Sequence, residues 1–233
     1  MKMAIMQPYL FPYIGYYQLL KASDVFAVYD DVNYIKRGWI NRNRILINGK
    51  DSYFTLPCKK ISQNRLINEI EVDFSSGYLS KFFKTIEQGY QKTPYYNEVI
   101  GIISEIMSFN ENNLALFLLN SIKKMAGFLN IDCTIEQTSI EYPESKGIGK
   151  ADRLIAICSK KGASDYINAI GGTDLYSKEY FKERGISLYF LKSGDIIYRQ
   201  NSKEFVANLS IIDSLMYAGK KGVSEALNKY KLI

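Results

Sequence analysis

The first thirty residues constrain the fold most. Two short apolar runs, MAIMQ and DVFAVYDD, flank the segment GYYQLLKAS, in which Tyr16, Leu19 and Leu20 recur at helical spacing. Strand, short helix and strand within about thirty residues predict a right-handed βαβ unit that opens a parallel sheet. Further on, RILINGKDSYFTLPC alternates around Asn48-Gly49, a strong signal for a β-hairpin turn, and INEIEVD reads as one more strand.

Residues 77–130 change period. GYLSKFFKTIEQGYQK, PYYNEVIGIISEIMSF and NLALFLLNSIKKMAGFLN repeat apolar residues at i, i+3 and i+4, with Pro94 at a helix start and NENN as a break. These are expected to form a helical insertion that packs against the sheet or a partner. Strand and helix then alternate again: CTIEQTSIEY, GKADRLIAICSKKG with a stop at Gly162, SDYINAIGG, SKEYFKERG and ISLYFLK. The expectation is a single α/β domain over residues 1–233, with a Rossmann-like parallel sheet, flanking helices, a β-hairpin and the insertion. The closing segment NLSIIDSLMYAGKKGVSEALNKY suits a core helix and can also supply a homodimer face.

Composition removes several kinds of chemistry. The 233 residues include no histidine, which excludes Ser-His-Asp and Cys-His catalysis, His-ligated zinc and an imidazole base. Cys58, Cys133 and Cys158 lack metal or redox spacing and read as ordinary thiols. A net charge of +6 favours an anionic partner, a nucleotide, a sugar nucleotide or a nucleic acid, with the spread of basic residues fitting a small phosphorylated ligand as well as RNA. With no membrane-length apolar run and no leader pattern, the chain is expected to be cytoplasmic.

In an open parallel sheet, ligands sit beyond the carboxyl ends of the strands. Gln7-Pro8 should leave the first strand at that edge, Asp30-Asp31 the second and Gly171-Gly172 the YINAI strand. In the first loop, Gly15 at a helix start permits close backbone approach to an anion, and Tyr9, Phe11, Tyr13, Tyr16 and Tyr17 offer rings and hydroxyls. Core or subunit contacts are the alternative reading of these aromatics. Asp30 and Asp31 can bind a divalent cation, accept from sugar hydroxyls or act as a general base, only one of them facing the site; a turn or cap also explains them. Trp39, Asn41, Arg42, Asn43 and Arg44 combine rings, amides and guanidinium groups that suit phosphate recognition, and equally a solvated basic face. Lys150, with Asp152 and Arg153, either caps a helix or reaches a phosphate, and Gly171-Gly172 is a backbone approach point or a simple turn.

The blocks QPYLFPYIGYYQLLKASDVFAVYDDVNY, KRGWINRNRI, KADRLIAICSKKGASDYINAIGGTDLY and NLSIIDSLMYAG resemble the WbqC-like protein family along almost the full length. That resemblance implies a role in bacterial surface-polysaccharide biosynthesis, O-antigen and capsule included, with glycine transfer suggested for some members. A more distant likeness joins YIGY to the HxGH turn of nucleotidyltransferases and class I aminoacyl-tRNA synthetases, with Tyr13 and Tyr16 in the histidine places and Gly15 kept. The reading that follows is transfer of an acyl or aminoacyl group, glycyl among them, to an amino-sugar nucleotide. Two others stay open: nucleotidyl transfer with Mg2+ and ATP or CTP, and a non-catalytic scaffold that binds a sugar nucleotide or RNA.

Overall fold

The structure, a computed structural model, describes residues 1–75 and 77–233. Its first half runs β1 (Lys2–Met6), α1 (Ile14–Ala22), β2 (Val25–Val28), β3 (Arg42–Ile47), β4 (Lys50–Thr55), β5 (Cys58–Lys59), β6 (Glu71–Val72), α2 (Tyr78–Tyr90), α3 (Tyr96–Met107) and α4 (Leu114–Phe128). Its second half runs β7 (Thr134–Gln137), α5 (Thr138–Glu141), α6 (Lys150–Lys161), β8 (Asp165–Ala169), α7 (Lys178–Lys182), β9 (Ser187–Ser193), α8 (Ile211–Ala226) and β10 (Tyr230–Leu232). The expected α/β class, hairpin and helical segment are all present.

Six strands form the central sheet in the order β10-β9-β8-β1-β2-β7. All neighbours are parallel except β10, which pairs antiparallel with β9. Strand alternation fixes what each face covers. Met3 and Ile5 of β1 join Leu154, Ile157 and Phe181 on the side of α6 and α7, while Ala4 joins Leu19, Leu20 and Ile122 on the side of α1 and α4. With both faces covered, a strand such as VFAV is apolar throughout and fully buried.

Chain direction reverses within this sheet. The path goes outward from β1 through β2 to β7, then crosses back to β8 on the other side of β1. Loops leaving β1 and β8 therefore diverge to opposite faces and open a crevice between them, the place where such sheets hold ligands. Beside the sheet, α2, α3, α4, α8 and the β3–β4 hairpin share a third apolar cluster that includes Phe11, Phe82, Ile86, Phe117 and Leu215. No helix among the described residues is long and apolar enough to cross a membrane.

Three expectations are corrected. INEIEVD gives a short 3-10 turn over Ile67–Glu69 and only a two-residue strand, because Ile67, Ile70 and Val72 are the positions that reach the core. CTIEQTSIEY stops being a strand at Gln137, where Asp30 accepts from the Ser139 backbone and turns the chain into α5. The last segment is interrupted at Gly219, whose φ of 66° is left-handed and where a Cβ would lie 2.6 Å from the Tyr95 ring; after it, Tyr230–Leu232 forms the edge strand.

Candidate functional site

Three hollows run along the carboxyl edge of the sheet. The first, about 340 Å³, lies in the crevice between β1 and β8, with Gln7, Tyr9, Tyr29, Asn168, Gly172 and Tyr176 in its wall. A second, about 530 Å³, takes Tyr9, Tyr13, Trp39, Arg44, Lys192 and Ser193. The third, about 360 Å³, includes Tyr13, Ser193, Asp195, Tyr198, Asn208 and Ser214. Tyr9 lines the first and second, and Tyr13, Ser193 and Asn208 line the second and third, so the hollows form one groove.

The N-terminal loop is a stiff wall of this groove. Asn43 donates to the carbonyls of Leu10 and Phe11 at 3.0 and 2.9 Å, and Ser210 donates to Phe11 at 2.7 Å. These bonds hold Phe11 at a left-handed φ of 42°. Tyr16 is buried, donates to the Gln7 carbonyl at 3.1 Å and packs 5.6 Å from the Tyr9 ring, which sets the angle at which Tyr9 enters the groove. Gly15 lets the Tyr13 ring lie close to α1, because a Cβ there would stand 2.4 Å from that ring and displace it. Burial raises the Tyr9 and Tyr13 hydroxyls above their ordinary pKa, so at neutral pH both are uncharged hydrogen-bond donors.

The basic segment divides by role. Trp39 and Arg44 reach the groove, Arg44 paired with Asp51 at 2.9 Å and lying 5.7 Å above the Trp39 ring. Arg42 instead covers Tyr53 at 4.6 Å and bonds the Gly38 carbonyl. Asn41 is internal, accepting from Tyr34 at 2.6 Å and donating to Leu56 at 2.8 Å. Asn43 lines the second hollow, but both its bonds go to the loop backbone. Lys150 is exposed at the start of α6, outside the three linings, while Gly171 and Gly172 close the end of the first hollow.

Asp30 and Asp31 turn inward beneath the groove. Asp30 has no exposed surface and accepts from Gln137 at 3.1 Å, the Ser139 amide at 3.0 Å and the Ser139 hydroxyl at 2.6 Å. Asp31 accepts from Thr138 at 2.6 Å and from Arg153 at 2.5 Å. Arg153 is held further by Ser145 at 3.1 Å and lies 4.7 Å over the Tyr29 ring. The pair thus locks the end of β2 to α5 and α6 and seats Tyr29 at the crevice.

Sequence reasoning passed over Asn168, Lys192, Ser193, Asp195 and Asn208. Lys192 and Ser193 end β9 and Asp195 follows it, and the end of that strand belongs to the same edge, so the strand-end rule already pointed there. Asp195 is the carboxylate that lines the groove; among the described residues, no three His, Cys, Asp or Glu side chains gather as a metal site.

Fold and groove together define a doubly wound α/β protein with a crevice at its strand-order reversal. Residues 7–225 match the WbqC-like protein family, and the chain belongs to that family. It is 27% identical over 221 residues to "Uncharacterized protein Rv1507c" of Mycobacterium tuberculosis, a match that covers 94% of each chain. No solved structure matches it.

Proposed function

We propose that the groove binds an amino-sugar nucleotide and that the protein transfers an acyl or aminoacyl group, glycyl included, to the sugar's amine during surface-polysaccharide biosynthesis. The observation that carries this reading is the joining, at the β1/β8 crevice, of a hollow walled by amides and phenols to one that holds Arg44 and Lys192. An uncharged polyhydroxylated ring suits the former and a diphosphate the latter.

In this reaction the amine nitrogen bonds to the carbonyl carbon of an activated ester or thioester. The bond to the leaving oxygen or sulfur breaks, and the proton lost by the amine reaches the leaving group. The sugar's hollow holds no carboxylate, so in this reading the proton passes from the amine to the leaving group within that hollow, and its amides and phenols are the donors near the developing oxyanion. Asp30 and Asp31 act as positioning residues through Ser139 and Arg153. Nucleotidyl transfer has less support, since the Tyr13 ring lies against Gly15 at the first turn of α1 and neutral phenols stand in the histidine places.

The test is calorimetric titration with UDP-, dTDP- and GDP-linked amino sugars and with ATP and CTP, each with and without magnesium. Saturable binding of an amino-sugar nucleotide is expected. Binding confined to ATP or CTP with magnesium, coupled to pyrophosphate release, would replace this function with nucleotidyl transfer.

A further inference from the structure

We infer that the groove reads a sugar nucleotide in one direction, with the sugar in the β1/β8 hollow, the diphosphate at Arg44 and Lys192 and the base against Trp39, and that Asn168 determines sugar specificity. This assignment rests on the ligand class proposed above.

Charge gives the direction. The side chains that line the first hollow are all uncharged: the amides of Gln7 and Asn168, the phenols of Tyr9, Tyr29, Tyr166 and Tyr176, and apolar groups such as Leu154. A phosphate placed there would lose its water and meet no cation. A sugar ring meets what it needs, aromatic faces for its C–H surface and amide or hydroxyl partners for its substituents. The neighbouring hollow supplies the cations. Lys192 has no ion-pair or hydrogen-bond partner among the described residues, and the same hollow is bounded by Trp39, which is 38% exposed and stacked on Tyr53 at 6.3 Å.

Asn168 is the group that distinguishes one sugar from another. It is only 8% exposed, and its Oδ1 accepts from the Ala169 amide at 2.8 Å, which fixes the side chain. Its Nδ2 lies beside Gly172 in the wall of the hollow and donates to nothing among the described residues. Gly172 preserves that placement, because a Cβ at this position would come 2.5 Å from Nδ2. A donor held in place by a largely buried side chain and left without a protein partner discriminates by rejecting a ligand that brings no acceptor. The matching feature on the sugar is a hydroxyl or an acylamino carbonyl.

Trp39 is the chain's single tryptophan, so its emission reports on the base end alone. Each sugar nucleotide is titrated beside its free nucleoside diphosphate, with binding measured by calorimetry and Trp39 fluorescence in parallel. Both ligands are expected to change the emission. Asn168→Leu should weaken the sugar nucleotide about tenfold and leave the nucleoside diphosphate unchanged. Tyr176→Phe, at a half-exposed wall position, should show the same selectivity more weakly and guards against a folding defect in the first variant. Equal losses for both ligands, a loss for the nucleoside diphosphate alone, or sugar-nucleotide binding that leaves Trp39 unmoved would overturn the direction while leaving the ligand class intact. Failure of every sugar nucleotide to bind the unaltered protein would overturn both.

Discussion

The Asp30–Asp31 cluster and the groove share one edge of one sheet, yet they treat polar groups in opposite ways. In the cluster, two buried carboxylates are matched by hydroxyls, an amide, a backbone N–H and a guanidinium. In the groove, the Asn168 amide nitrogen, Lys192 and Asp195 have no protein partner among the described residues. A saturated cluster holds a strand end in place, whereas unpaired groups held at a crevice are available to a ligand. Two adjacent acidic residues catch the eye in the sequence, but the geometry gives them the first role.

The largest effect should come from splitting the buried pair. Asp31→Ala leaves the Arg153 guanidinium enclosed without its carboxylate, and a loss of about 3–5 kcal/mol in urea denaturation is expected. Adding Arg153→Met should recover much of it, and a failure to recover would mean that the cluster depends on more than this pair.

A sharper comparison sets Asp30→Asn against Lys192→Met. The first should cost about 1–3 kcal/mol, because an amide cannot accept from all of Gln137 and Ser139, with transfer per folded molecule retained. The second should leave the melting temperature unchanged and weaken sugar-nucleotide binding about tenfold, because the diphosphate loses its unpaired cation. A stable but inactive Asp30→Asn protein would break the comparison and make Asp30 the catalytic carboxylate.

The smallest effect concerns Asp213, buried in the first turn of α8 beneath the third hollow. It accepts from Tyr90 at 2.8 Å, Tyr198 at 2.7 Å and Gln200 at 2.8 Å, all neutral donors. Burial raises its pKa above the ordinary carboxylate value despite those three bonds. Between the unfolded and the folded pKa the native state therefore holds more protons, so this group's contribution to stability is present at lower pH and is lost as pH rises through that interval. Comparing stability with Asp213→Asn from about pH 4 upward isolates the term, since only the native aspartate should show this decline. A difference that stays flat across the interval would mean that the neutral donors fully offset the burial of the charge.

Much of the fold was legible because it depends on local periods. Asn48 and Gly49, at φ of 50° and 76°, form the turn their identities require, and the helical insertion follows its apolar spacing closely. Features set by distant partners were hidden. Nothing within CTIEQTSIEY says that Asp30, over a hundred positions away, will claim the Ser139 amide. Asn41 and Asn43 looked like ligand donors because the carbonyls that occupy them belong to Leu56, Leu10 and Phe11. Asn168 was concealed in an apolar strand, with no local pattern to mark an amide that is half used. The strand edge itself was found at β1, β2 and β8, and applying the same rule to β9 reaches Lys192, Ser193 and Asp195.

The strap across the N-terminal loop also bears on biosynthesis. Phe11 is made 199 residues before Ser210, whose hydroxyl fixes its carbonyl. Until the C-terminal helix docks, this wall of the groove lacks one of its clamps, and contacts so distant in sequence are slow to form. A nascent or C-terminally clipped chain would therefore carry the loop residues without their final arrangement. Ligand capture would then serve as a natural check that α8 has been made and docked.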